Sequence, residues 1–180
     1  MLDRLFSFVD ILSGNLYIVL NSIHLKRRVT LEIERIIEQL NRAFWKNAWH
    51  GPALMEILSD VSAALAAARS IPNAHTIWEI VLHIASWKSI VERRLRGEIV
   101  SATSEQDWPP VQGLSAAAWQ QTMAELQQAH DSLVHTLSKM SDTQLETKSP
   151  GQDIPKYITV HGLVQHDLYH AGQISLLKKF

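Results

Sequence analysis

The sequence contains no cysteine among its 180 residues. This absence excludes disulfide bonds, zinc sites built from thiolates and a cysteine nucleophile. Any metal ion would have to be held by His, Asp, Glu or water. Any sulfur atom that takes part in a reaction would have to come from a substrate.

The sequence also lacks an excess of charge of either sign. Its net charge is -1, its isoelectric point is near 6.8, and it contains no run of more than three basic residues. No electrostatic feature therefore attracts nucleic acid or an anionic membrane, and we expect neither as a partner.

Long hydrophobic runs are missing as well. The apolar stretch Leu5–Leu20 is interrupted by Asp10, Ser13 and Gly14, and it is shorter than the roughly 20 residues that a helix needs to cross a bilayer. It also lacks the basic start and the small-residue cleavage site of a signal peptide. We therefore expect a cytoplasmic protein with no membrane partner.

Helical periodicity dominates the remaining sequence, and no strand-like alternation, internal repeat or glycine-rich phosphate loop occurs. Four amphipathic patterns begin at residue types that cap helix N-termini: Thr30, Thr76, Ser115 and Thr159. The connections between them are about 17 to 27 residues long, too long for tight hairpins. The sequence thus predicts an all-α fold, a four-helix bundle with crossover loops and short extra helices.

The chain length of 180 residues suits one domain with a single core. We assign residues 30–180 to the bundle. We interpret residues 1–29 as an N-terminal appendage, either a short extra helix or the product of an upstream translation start. Residues 61–68, rich in Ala and Leu, are compatible with a dimer face or with the interior.

The last helical pattern carries a histidine pair. His166 and His170 lie one helical turn apart on the same face as Leu163, Gln173 and Ile174. In a chain with nine histidines, chance alone gives on the order of half of one such pair, so the spacing by itself is a weak signal. The apolar surroundings strengthen it, because an uncompensated imidazole is costly to bury. The two rings could reach one metal ion, and one more ligand would complete a site.

Two other histidines lie on apolar stripes of other helices. His83 lies in the second long pattern, and the residues alone allow two interpretations of it. It is either a core imidazole bonded to a carbonyl or to Glu79, or a third ligand. We interpret His130, in the third pattern, as a core residue or as a residue that contacts the metal ligands without binding the metal itself.

Four segments of the chain resemble the DinB/YfiT-like superfamily: Ala48–Leu54, Ala74–Trp87, Asp107–Pro109 and, most specifically, His161–Ile174. The resemblance covers about residues 31–180. It implies a four-helix bundle with one crossover connection and a divalent metal ion, nickel or zinc. The resemblance further implies that His83, His166 and His170 bind this ion. By analogy with the family, we also expect a homodimer.

The resemblance also suggests a class of reaction. Three imidazoles leave a coordination position open, as in catalytic metal sites, where a metal ion lowers the pKa of a bound water or thiol. Relatives in the superfamily include S-transferases that use bacillithiol and isomerases that use mycothiol. We therefore expect a metal-dependent thiol transferase that detoxifies an electrophile. The alternatives are a hydrolase that uses a metal-bound water and a non-enzymatic stress protein with a structural metal.

Two further residues are candidates for the surroundings of the metal. Gln173, one turn after His170, could hydrogen-bond a bound water or ligand, or could simply be a polar group near the helix end. His50 could carry a proton at the mouth of a pocket, or could be an exposed loop histidine. The sequence assigns no catalytic residue beyond these candidates.

Overall fold

The computed structural model describes residues 31–180. They form four long helices, α1, α4, α6 and α8, with short helices in the connections. The helices are α1 (Glu32–Phe44), α2 (Leu54–Leu58), α3 (Ala63–Ala67), α4 (Ile77–Leu95), α5 (Ser104–Asp107), α6 (Ala116–Leu137), α7 (Asp142–Leu145) and α8 (Lys156–Leu177). This part of the chain has no β-strand, only an isolated bridge between Lys148 and Pro155. The predicted all-α fold is confirmed, whereas the predicted appendage, residues 1–29, lies outside the described residues.

The predicted starts of α4 and α6 are confirmed by their caps. The Thr76 side chain accepts the amide N–H of Glu79 at 3.2 Å, and the Glu79 carboxylate accepts the amide N–H of Thr76 at 2.7 Å. Ser115 accepts the amide N–H of Ala118 at 3.1 Å. Each cap satisfies amide groups that have no partner within the helix.

The predicted start of the last helix is wrong by about one turn. Helix α8 begins at Lys156, with Pro155 at the N-cap position, rather than after a cap at Thr159. Proline suits this position because its fixed φ leads into the helix and its missing N–H would have no partner there. The Thr30 cap predicted for α1 lies outside the described residues.

Helix α4 packs against both α6 and α8, and the buried side chains form two apolar clusters. The larger cluster includes Phe44, Leu54, Trp78, Ile84, Trp119, Leu126, Ala171 and Ile174. The smaller cluster includes Ile33, Leu40, Val91, Leu95, Leu133, Leu137, Val160 and Leu163. Val61 and Ala66 are buried in the larger cluster, so residues 61–68 contribute to the interior. None of the helices within residues 31–180 is both long and apolar enough to span a bilayer.

A polar layer lies between the two apolar clusters and contains one residue from each long helix: Asn41, Lys88, His130 and Asp167. Along each helix, this residue stands between members of the larger and the smaller cluster. The Lys88 ammonium bonds the Asp167 carboxylate at 2.6 Å, and neither side chain has any exposed surface. The His130 Nε2–H donates to the Asn41 side-chain oxygen at 2.9 Å. Each member of the layer therefore has a partner on a different helix.

His130 in this layer predicts a pH dependence of stability. Burial, with a smaller contribution from Lys88, lowers the pKa of His130 to about 3. In the unfolded chain the imidazole titrates near 6.5, so the unfolded state binds more protons than the folded state as pH falls from about 6.5 to 3. The free energy of unfolding should therefore decrease over this range, with His130 contributing about 1 kcal/mol between pH 6 and pH 5.

Urea unfolding of the wild type and of His130→Gln at pH 7, 6 and 5 measures this contribution. The wild type should lose about 1 kcal/mol more than the variant between pH 6 and pH 5. Equal pH dependence in the two proteins would contradict the prediction.

Candidate metal centre

Three histidines from two helices converge at one point. His83 lies on α4, and His166 and His170 lie on α8, which packs against α4. The Nε2 atom of His166 is 2.9 Å from Nε2 of His83 and 3.1 Å from Nε2 of His170. All three ligand atoms lie within 4.8 Å of one another. The predicted ligands are therefore brought together, with His83 and His170 buried and His166 half-buried.

Hydrogen bonds on the far side of two rings determine which nitrogen carries the proton. Nδ1 of His83 is 2.6 Å from the Asp107 backbone carbonyl, and Nδ1 of His170 is 2.7 Å from the Gln173 side-chain oxygen. Since these oxygens can only accept, both Nδ1 atoms carry the hydrogen and both Nε2 atoms keep a lone pair. These lone pairs face the Nε2 atom of His166. A metal-ligating histidine commonly donates its other ring N–H to a carbonyl in this way.

The donor set fits a divalent cation better than it fits hydrogen bonds among the three rings. A neutral His166 has one ring N–H, so its Nε2 can donate to His83 or to His170 but not to both. A cation at the common point would instead accept all three lone pairs, and imidazole nitrogen suits both zinc and nickel. Metal binding requires neutral imidazoles. The site can therefore hold a metal ion.

Burial keeps the three imidazole rings in their neutral form. It is the largest cause that lowers the pKa of His83, His166 and His170, and it brings the pKa of His166 to about 3, with the neighbouring His170 and His83 as further causes. The Asp107 carbonyl and Gln173 oppose the shift at His83 and His170 respectively. At neutral pH the lone pairs remain available to a metal.

The connection after α4 contacts Nδ1 and one face of the His83 ring. The Asp107 carboxylate accepts the indole N–H of Trp87 at 2.7 Å and lies 3.3 Å from Nδ1 of His83. Trp108 stacks on His83, with ring centroids 4.0 Å apart, and its other face stacks on His75 at 3.5 Å. The Asp107–Pro109 segment was part of the family resemblance, but the sequence assigned it no role. Its contacts orient the His83 ring.

A cavity of about 400 Å³ adjoins His170, one of the three histidines, and its wall also includes Trp108 and Gln173. Gln173 is therefore brought to the site, where its oxygen already accepts the N–H of His170. His50 is exposed and lines a separate cavity of about 200 Å³. Within residues 31–180, no hydrogen bond or ring contact joins His50 to the three histidines, so the structure does not bring it to the site.

Sequence reasoning missed the buried pair Lys88–Asp167, which joins the two helices that carry the three histidines. A signal was present in the sequence. Lys88 lies four residues after Ile84 on the apolar stripe of α4, and Asp167 lies four residues after Leu163 on that of α8. Opposite charges on two apolar stripes indicate a buried ion pair, because an unpaired buried charge is very costly.

Comparison with known proteins agrees with this architecture. The family model of the DinB superfamily matches residues 45–174, which is more than half of the chain and includes all three histidines and Gln173. Among curated proteins and among solved structures, no significant match was found. The family match confirms the resemblance seen in the sequence, and the chain therefore belongs to the DinB superfamily.

Proposed function

We propose that this protein is a metal-dependent thiol transferase. It binds zinc or nickel through His83, His166 and His170, and it transfers a small-molecule thiol to an electrophile. The observation that supports this proposal most directly is the convergence of three neutral imidazoles beside a cavity. Three protein ligands leave a coordination position for a substrate, whereas structural zinc sites use four.

Neighbouring residues hold the histidines in an orientation that suits metal binding. When bound, a divalent ion supplies a Lewis acid that lowers the pKa of a coordinated thiol toward neutrality. The Asp107 carbonyl and the Gln173 oxygen orient His83 and His170 with their Nε2 lone pairs inward. Trp108 covers one face of His83 and shields it from water.

A thiol suits this site better than an attacking water. Within residues 31–180, the carboxylate found in contact with one of the three histidines is that of Asp107, and it lies on the Nδ1 side of His83, opposite the ligand atom. It also accepts the indole N–H of Trp87, so it is poorly placed to act as a general base for water. A free thiol, with a pKa near 8.5, needs less assistance than water to lose its proton. Because the chain has no cysteine, the sulfur must come from the substrate.

Cobalt-substituted protein tests this proposal. We expect 2-mercaptoethanol to produce a sulfur-to-cobalt charge-transfer band in the wild type and no such band in His83→Ala. With 1-chloro-2,4-dinitrobenzene as the electrophile, the sulfur attacks the ring carbon, a C–S bond forms, chloride leaves and the thiol proton passes to the buffer. The metal-loaded wild type should accelerate this reaction at least about tenfold over metal-free protein.

The matched control is His135→Ala, which removes an exposed histidine from α6 and should leave both signals unchanged. A cobalt spectrum that does not respond to thiol would overturn the proposal. In that case, metal-dependent hydrolysis of 4-nitrophenyl acetate without thiol would indicate a hydrolase. A bound metal that supports neither reaction would indicate a structural role.

A further inference from the structure

Within residues 31–180, the wall of the cavity beside His170 contains no permanently charged side chain; its titratable groups are His75, His170 and Tyr169. Among the described residues that line it, none is Lys, Arg, Asp or Glu. Its apolar surface comes mainly from Ile71 in the connection before α4, Ile80 near the start of α4, and Leu176 and Leu177 at the end of α8. Its volume of about 400 Å³ is within the range of pockets that enclose a small organic molecule.

The rim of the cavity is apolar as well. Tyr169 and Leu176, both on α8, line the cavity, yet they are 65% and 53% exposed. Large apolar side chains exposed at the edge of the same cavity are typical of binding surfaces. An apolar molecule that enters the cavity would contact these two side chains.

Arg69, a cation that contacts the backbone of the wall residue Ala74, already has two partners. The Arg69 guanidinium donates to the Ala74 carbonyl and pairs with the Glu79 carboxylate at 2.8 Å. A charged group that entered the cavity would lose hydration without gaining a counter-ion from its wall. On these grounds we expect the cavity to disfavour charged molecules.

The polar groups of the wall are few and partly occupied. The Gln173 oxygen accepts from His170, so its NH₂ group remains as a donor for a ligand. Trp108 is covered on one face by His75 and on the other by His83, so only its edge is left for a ligand. The wall thus provides mainly apolar contact, with the Gln173 amide, the His75 imidazole and the Tyr169 hydroxyl as the polar groups that could orient a bound molecule.

We propose that this cavity binds an uncharged, largely apolar organic molecule. This assignment rests on the proposed function, in which the molecule is the electrophile and any charged part of the thiol stays outside the cavity. Since His170 belongs both to the wall and to the metal site, a molecule in the cavity lies next to the metal. The electrophiles that react fastest should therefore be neutral.

A matched pair of dyes tests the cavity directly. N-phenyl-1-naphthylamine is neutral, and 8-anilino-1-naphthalenesulfonate carries a sulfonate on the same scaffold. Fluorescence titration of the wild type should give one saturable site with a Kd at least about tenfold lower for the neutral dye. Equal affinities, or tighter binding of the sulfonate, would overturn the proposal.

Two lysine substitutions locate the site of binding. Leu176→Lys adds a charge at the rim, so it should weaken binding of the neutral dye about fivefold or more and strengthen binding of the sulfonate. The control Leu114→Lys changes another exposed leucine, 70% exposed and outside the cavity wall, and should leave both affinities within about twofold. Unchanged dye affinities in Leu176→Lys would place the dye elsewhere and refute the assignment.

A third variant changes only the available volume. Ala74→Phe adds a phenyl group to the cavity wall and should weaken binding of the neutral dye. Dye binding needs neither metal nor thiol. A protein that prefers the neutral dye but transfers no thiol would therefore refute the proposed function and leave the cavity assignment in place.

Discussion

Replacing both His166 and His170 with alanine should abolish metal binding. We expect about one divalent ion per chain in wild-type protein purified without added metal or an affinity tag, and none in the double variant, because one imidazole remains of the three. Elemental analysis by mass spectrometry measures both values. Chelation should lower the Tm of the wild type and leave that of the variant unchanged, since a ligand that binds only the folded state stabilises it.

The control for this experiment removes the same number of histidines from exposed positions. His50→Ala combined with His135→Ala should retain the metal, because both side chains are exposed and neither contributes an atom to the three-histidine site. A wild type that binds neither nickel nor zinc after reconstitution would mean that the three histidines are core residues. The metal-dependent function would then have to be abandoned.

Lys88→Met should destabilise the fold by about 3–5 kcal/mol, because it leaves the Asp167 carboxylate buried without its cation. Both side chains are completely buried in the wild type, 2.6 Å apart. The double variant Lys88→Met, Asp167→Leu removes both charges and should recover most of the loss, since a buried ion pair replaced by apolar side chains is often neutral or stabilising. Urea unfolding of the wild type and the variants gives the free energies.

An exposed ion pair provides the control for this prediction. Arg93 and Glu98 are 2.7 Å apart, with side chains 45% and 44% exposed, and Glu98→Ala should cost less than about 1 kcal/mol. A cost of the same small size for Lys88→Met would contradict the burial of the Lys88–Asp167 pair. Because this pair joins α4 to α8, Lys88→Met should also weaken metal binding.

Much of the helical structure could be predicted from the sequence. The spacing of apolar residues and the caps Thr76 and Ser115 indicated α4 and α6, because helix periodicity and capping depend on contacts within about four residues. The same local geometry placed His166 and His170 on one face of α8. The start of α8 could not be located, because Pro155 and Thr159 are both acceptable residues at a helix N-terminus.

The candidate site was predicted only in part. The residues alone left His83 with two interpretations, and the family resemblance supplied it as a ligand. The hydrogen bond that orients it comes from the Asp107 carbonyl, 24 residues along the chain, and a backbone carbonyl carries no signal of side-chain type. The orientation of the ring could therefore be read only from the folded chain.

By itself, the sequence determined which long segments are helical, which face of each long helix is apolar, and that any thiol must come from outside the chain. These properties follow from composition and from contacts between near neighbours. The tertiary structure alone decided that His83 meets His166 across 83 residues, that Lys88 pairs with Asp167 across 79, and that an uncharged cavity lies beside His170. The reason is that the distance between two helices is determined by how their faces pack, and this packing depends on the whole chain.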